Sequence, residues 1–124
     1  MKTSETLILP KNPKTVETIQ KNQVVTIRAK EWFDKANGNS YFALQVWVND
    51  EFALALSMRY GYGNQYEYEA IRTLCEYGLL PMRFCSTAMH VIARETGIIF
   101  NAKIERGCTK KEVKNLVIQD IIHN

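Results

Sequence analysis

The stretch from Ile27 to Gly78 constrains the fold most, because apolar and polar residues alternate along it in runs of strand length. The first run ends near Trp32, and Asn37-Gly38-Asn39 follows as a turn in which Asn-Gly tolerates the positive φ of a tight reversal. Residues 40–48 alternate again, and a third run covers residues 52–58. The pattern therefore predicts three consecutive antiparallel strands, a β-meander.

The sequence beyond the meander predicts three helices and one more strand. Asn64 and Glu67 have the spacing of an N-terminal capping pair, and Thr109 and Glu112 repeat that spacing further along the chain. Each pair marks the start of a helix, because its side chains bond N–H groups that the first turn leaves free. The order βββααβα is typical of an α+β fold, here with the helices packed on one face of the sheet. The predicted helices begin near Asn64, Ser86 and Thr109, and the further strand covers residues 98–106.

The chain of 124 residues is long enough for one domain with a single hydrophobic core. Residues 1–22 are polar and interrupted by Pro10 and Pro13, so we expect an N-terminal arm there. Within the arm, Pro13 is suited to open a short helix that reaches Ile19. Residues 23–124 then form a single α+β domain.

Composition indicates an ordinary globular protein, with 46% hydrophobic and 23% charged residues. The net charge of +3 is only faint support for a polyanionic partner. Three widely spaced cysteines do not suggest a disulfide framework, which favours a reducing compartment. No apolar run approaches the length of a membrane span, and the N-terminus lacks a signal-peptide pattern. We therefore expect a cytoplasmic protein with no membrane partner.

No motif with catalytic or metal-binding specificity stands out, so we expect no enzyme activity, no cofactor and no metal site. Structural zinc sites combine four Cys or His ligands, and the chain has no Cys-x-x-Cys pair. Cys85 and His90 combine a thiol with a base, but a spacing of five residues does not bring two side chains together on a helix.

The glycine-rich segment before the first helix is the first candidate binding site. Gly61 and Gly63 leave N–H groups open to a ligand directly ahead of a helix N-terminus, an arrangement that holds phosphate groups. The neighbouring tyrosines offer stacking faces. The alternative is a plain corner between strand and helix, with tyrosines that cap the core. The predicted ligand-binding residues are Arg59, Tyr60, Gly61, Tyr62, Gly63, Asn64 and Tyr66.

The hairpin tip is a second candidate patch, formed by Trp32, Asn37, Asn39 and Tyr41. It is either a recognition surface or a turn whose side chains satisfy their own backbone. The strand face that continues from it mixes aromatic rings with cations, which suits base stacking but also fits a solvated sheet face or the seam of an oligomer. Two exposed tryptophans on this face would indicate an interface, so we expect a homo-oligomer. The face carries Arg28, Lys30, Trp32, Tyr41, Gln45 and Trp47.

The segments RAKEWFDKANGNSYFALQVWV and YGYGNQYEYEAIRTLCEYG carry one resemblance. Their Trp-Phe-Asp-Lys strand end, Asn-Gly-Asn-Ser-Tyr hairpin and Tyr-Gly-Tyr-Gly loop are similar to those of a group of short phage and prophage proteins with no known function. The resemblance is confined to residues 28–77. It implies a viral or mobile-element origin and expression in the cytoplasm of a host bacterium.

Two classes of function follow. The first is a non-catalytic phage protein that counters a bacterial defence, by sequestering a nucleotide-type signal or by blocking a defence effector. The second is a phage accessory module that binds nucleic acid or a host protein. A nucleotide binder should be stabilised by its ligand, whereas a nucleic-acid binder should lose affinity as the salt concentration rises.

Overall fold

The computed structural model describes residues 6–8 and 18–123, with side chains described for residues 18–116. Its strands are β1 (Thr6–Ile8), β2 (Val24–Asp34), β3 (Asn39–Val48), β4 (Glu51–Tyr60) and β5 (Ile99–Glu105). Its helices are α1 (Gln65–Glu76), α2 (Met89–Thr96) and α3 (Lys110–His123), with a 3₁₀ turn at Met82–Phe84. The predicted α+β class and the order βββααβα are confirmed, and β1 is an additional short strand.

The described strands form one sheet in the order β1-β4-β3-β2-β5. β2, β3 and β4 are the predicted meander, and Gly38 has the φ of 71° that the hairpin reversal requires. After β4 the chain crosses the sheet through α1 and α2, so β5 arrives at the far edge parallel to β2. The sheet is therefore mixed, with one parallel pair beside the antiparallel meander.

Helices cover both faces of the sheet, so the prediction that they pack on one face is wrong. α1 and α2 lie on the face that carries Ile27 and Leu44, which we call the α1 face. α3 lies on the opposite face against Ala43 and Ala55, which we call the α3 face. The cause lies in β3, where residues 42–46 are all buried. A strand that is apolar on both sides needs cover on both sides.

The helix caps agree with the prediction at α3 but not at α1. The Glu112 N–H donates to Thr109 Oγ1 at 3.1 Å, and the Thr109 N–H donates to Glu112 Oε1 at 2.8 Å, which completes the capping box. The Asn64 side chain makes no cap hydrogen bond. Its backbone, at φ −98° and ψ 18°, is outside the extended conformation that a capping side chain needs. The side chain of Gln65 bonds the preceding loop instead.

The capping box of α3 should make stability depend on pH. The hydrogen bond from the Thr109 N–H lowers the pKa of Glu112 below its ordinary value of 4.5. A carboxylate with a lowered pKa stabilises the fold above its ordinary value, and that contribution is lost as the pH falls through the lowered value. We expect the melting temperature to fall more steeply below about pH 5 in the wild type than in Glu112→Gln. Parallel melting curves across that range, followed by circular dichroism, would contradict this assignment.

The described residues before β2 are held by β1, by Ile19 and by Asn22, whose N–H donates to the Gly97 carbonyl at 2.9 Å. β1 pairs with β4, from Thr6 opposite Leu56 to Ile8 opposite Leu54. Ile19 is buried, and its N–H donates to the Leu79 carbonyl at 2.8 Å. The predicted short helix at Pro13 lies for the most part outside the described residues, and the division of the chain at residue 22 stays a prediction.

Candidate functional site

Four aromatic rings form a continuous row across the α3 face at the end of the meander, which we call the aromatic row. Trp32 and Tyr41 stack with ring centroids 5.4 Å apart and planes inclined by 25°. Tyr41 meets Tyr60 edge-on at 5.9 Å, and Tyr60 meets Tyr62 edge-on at 6.2 Å. The first three residues lie directly opposite one another on β2, β3 and β4, which brings their rings together. The row thus joins the two patches that the sequence predicted separately.

The aromatic row is open at one end and has a lysine side chain over its other end. Tyr60 and Tyr62 are 55% and 62% exposed, which is high for large aromatic side chains. At the half-buried end, Lys110 Nζ lies 5.3 Å from the centroid of the Trp32 ring, within range of a cation–π contact. The two open rings can accept flat bases, and Lys110 at the other end of the row can meet a phosphate of a strand that lies along the row.

The backbone of the glycine-rich loop is less open than predicted. The Gly61 N–H donates to the Ser40 carbonyl at 3.0 Å, and the Tyr62 N–H donates to Gln65 Oε1 at 3.2 Å. Gly61 is buried against the Phe42 ring, whereas Gly63 is exposed. The prediction that the Gly61 N–H is open to a phosphate is therefore wrong, and the neighbouring Tyr62 N–H is bonded as well. Glycine is needed at position 61 because a side chain there would meet the Phe42 ring.

Two further residues of the predicted site point into the protein. Arg59 Nη1 lies 3.5 Å from Glu69 Oε1 of α1, and burial lowers the pKa of the Arg59 guanidinium although Glu69 acts to raise it. Tyr66 is buried in the cluster beneath α1, and burial raises the pKa of its hydroxyl. Neither side chain is placed to contact a ligand on the aromatic row. Asn64 is exposed at the start of α1.

The hairpin tip satisfies its own polar groups, as the alternative interpretation held. Asn37 Nδ2 donates to Asp34 Oδ2 at 2.8 Å, and the N–H of Gly38 donates to the Asp34 carbonyl at 2.7 Å. Asn39 pairs with Asp34 at the last rung of the hairpin. The two asparagines therefore lie in the turn, and only Trp32 and Tyr41 of the second patch join the aromatic row.

α3 covers the strand face that the sequence predicted to be open. Trp32 and Trp47 are half-buried and pack against the cluster that contains Val113 and Leu116. The prediction of two exposed tryptophans is wrong because the last helix of the chain itself supplies the cover. The homo-oligomer was inferred from that exposure, so it stays a prediction without this support.

A cleft of about 710 Å³ opens beside α3 on the α3 face. Its floor combines β2 with β5, because the parallel pairing places Lys103 next to Arg28 and Glu105 next to Lys30. Sequence reasoning named Arg28 and Lys30 but missed the cleft, since nothing local indicates which strand lies beside β2. The lining residues are Arg28, Ala29, Lys30, Gln45, Lys103, Ile104, Glu105 and Leu116.

Two of the three thiols, Cys75 and Cys108, are buried in the described part of the chain. Burial raises the pKa of the Cys75 thiol to about 11, and it also raises the pKa of the Cys108 thiol. Both sulfurs therefore stay protonated near neutral pH. Within residues 6–8 and 18–123, no group of three His, Cys, Asp or Glu side chains is placed to hold a metal ion. Across the same residues, no helix has the length and apolar character to span a membrane.

No protein-family model, no curated protein and no solved structure matches this chain. Function is therefore inferred from the contacts, exposure and charges of the aromatic row and the cleft.

Proposed function

We propose that this chain is a non-catalytic binding protein that holds the bases of single-stranded nucleic acid on the aromatic row. The observation that carries the proposal is the continuous contact of four rings, of which Tyr60 and Tyr62 are more than half exposed. Aromatic faces stack on every base, with about 1–3 kcal/mol per base lost on substitution by alanine. Rings that already support one another are held in place before the ligand arrives.

Lysine side chains are the groups that would meet the phosphates of such a strand. Lys110 lies at one end of the aromatic row, and Lys111 and Lys114 are exposed on the first turns of α3. The N–H groups of Gly61 and Tyr62 are already bonded within the protein. The phosphate would therefore depend on side-chain cations, because these two backbone groups are not open to it. This arrangement favours single-stranded nucleic acid as the ligand over a nucleotide signal held by the loop.

The biological setting of the proposal comes from the sequence. The resemblance of residues 28–77 to short phage and prophage proteins supports a phage origin and action in the cytoplasm of a host bacterium. In that setting, a small protein that covers single strands would act on host or phage nucleic acid. It would also be able to mask strands that a bacterial defence effector must reach.

The test compares two exposed tyrosines that differ in position. Tyr62 ends the aromatic row, whereas Tyr68 is exposed on α1, over the other face of the sheet. We expect Tyr62→Ala to weaken the binding of a fluorescent deoxythymidine oligonucleotide by roughly 5- to 150-fold, the equivalent of one lost stacking contact. Tyr68→Ala, the matched control, should bind as the wild type does. Fluorescence anisotropy gives both dissociation constants.

Salt dependence separates this proposal from a second candidate, in which the row binds a host protein. The second candidate is favoured by the exposed tyrosines themselves, since tyrosine is enriched at protein interfaces. Affinity for the oligonucleotide should fall as salt rises, because phosphate contacts release counterions. If the wild type does not bind oligonucleotides at low salt, or if Tyr62→Ala and Tyr68→Ala bind equally, the nucleic-acid proposal is wrong.

A further inference from the structure

We infer that the cleft beside α3 is a second binding site, for a small molecule that joins a phosphate group to a hydroxyl-bearing sugar. The cleft is separate from the aromatic row, because none of the four rings lines it. Its volume of about 710 Å³ is in the range that small-molecule sites occupy. It thus extends the function of the chain beyond the binding of nucleic acid.

The first argument is a pair of like charges placed side by side. Arg28 of β2 and Lys103 of β5 are partners in the parallel pairing, and both line the cleft. Lys30 lies two residues further along β2 on the same face. Like charges on directly adjacent strand positions destabilise a sheet. No carboxylate of the described side chains forms an ion pair with any of these three cations. An anion bound between Arg28 and Lys103 would remove the repulsion.

The second argument is a buried acceptor that has no donor. Gln45 is only 3% exposed, and its Nε2 donates to the Leu116 carbonyl at 2.8 Å. That bond fixes the orientation of the amide, because a carbonyl oxygen can only accept. Gln45 Oε1 is left without a hydrogen-bond donor among the described residues, which costs free energy when the group is buried. A hydroxyl or amino group of a ligand in the cleft would supply the donor.

The third argument limits the number of phosphates. Glu105 lines the cleft beside Lys30, so a carboxylate stands two residues from the Arg28–Lys103 pair. A carboxylate repels a second phosphate but accepts hydrogen bonds from hydroxyl groups. Leu116 adds an apolar wall. One phosphate between Arg28 and Lys103 leaves Gln45, across β2 from Lys103, and Glu105, two residues along β5, as hydroxyl acceptors on either side, whereas a polyphosphate would meet the Glu105 carboxylate.

The experiment measures thermal stability with ribose 5-phosphate and AMP, and with ribose and adenosine as their unphosphorylated counterparts. We expect the melting temperature of the wild type to rise with the phosphorylated compounds only. Ribose 5-phosphate and AMP together decide whether the site takes a sugar phosphate or a nucleotide. Lys103→Gln should abolish the rise, and its ligand-free melting temperature should equal or exceed that of the wild type, because the like-charge pair is gone. Lys35→Gln, which removes an exposed lysine in the hairpin turn, should respond as the wild type does.

The outcomes separate this inference from the proposal for the aromatic row. A Tyr62→Ala variant that loses the oligonucleotide but keeps the response to ribose 5-phosphate supports two independent sites. The inference is overturned if neither phosphorylated compound stabilises the wild type, or if Lys103→Gln and Lys35→Gln respond equally. It is also overturned if Lys103→Gln loses only oligonucleotide affinity, because the cleft then belongs to the nucleic-acid surface.

Discussion

A Gly61→Ala variant should lose about 3 kcal/mol of unfolding free energy, the upper end of what overpacking a core costs, although it adds only a methyl group. A Cβ at this position would lie 2.5 Å from Cε2 of the Phe42 ring and 3.2 Å from its Cδ2. The ring is fully buried and has little room to move away. The backbone is also held, because the Gly61 N–H donates to the Ser40 carbonyl. Urea unfolding with an unchanged slope would measure the loss.

Two comparisons show whether the clash with Phe42 is the cause. Gly63→Ala places a Cβ with no atom within 4 Å, so it should lose only about 1–2 kcal/mol, from the cost of its positive φ of 66°. Phe42→Leu destabilises the wild type by opening a gap, but in the Gly61→Ala background it should cost much less, because it relieves the clash. Equal losses at the two glycines, or additive effects of Gly61→Ala and Phe42→Leu, would contradict this account.

Local chemistry in the sequence accounts for the meander and for the start of α3. The Asn-Gly turn and the alternation on either side of it depend on neighbours in the chain, so they can be read without tertiary information. The strand that pairs with β5 cannot be predicted from neighbours in the chain, because a parallel neighbour is reached through a crossover of two helices. The side of the sheet on which α3 packs was also not predictable from local sequence. Its only signal is the small, apolar side of β3 and β4 at Ala43 and Ala55.

The candidate site was partly predictable, because some of its residues belong to local sequence motifs and others are brought together only by strand pairing. Tyr60 and Tyr62 follow from the glycine-rich motif, and Trp32 and Tyr41 from the hairpin, but the row depends on the register that sets them side by side. The availability of the loop N–H groups could not be predicted, since their acceptors belong to Ser40 and to the side chain of Gln65.

Removal of the Arg106 side chain should be the other large effect, with a loss of about 3 kcal/mol in an Arg106→Ala variant. The Glu31 side chain is only 10% exposed, and its carboxylate accepts a hydrogen bond from Arg106 Nη1. Without the guanidinium, a buried carboxylate has lost its ion-pair partner. The loss should fall at the low end of the roughly 3–5 kcal/mol typical of buried pairs, because the Arg106 side chain is itself 51% exposed.

The double variant Glu31→Leu/Arg106→Leu separates the stability of this ion pair from its role at the candidate site. Removing both partners leaves no buried charge, so most of the lost unfolding free energy should return. Arg106 Nη2 also donates to the Gly63 carbonyl at 3.3 Å, which ties the connection between β5 and α3 to the loop that carries Tyr62. That tie is absent from both variants, and oligonucleotide binding should therefore stay severalfold weaker than in the wild type even where stability has recovered. A double variant that regains full affinity along with its stability would mean that Arg106 does not position the aromatic row.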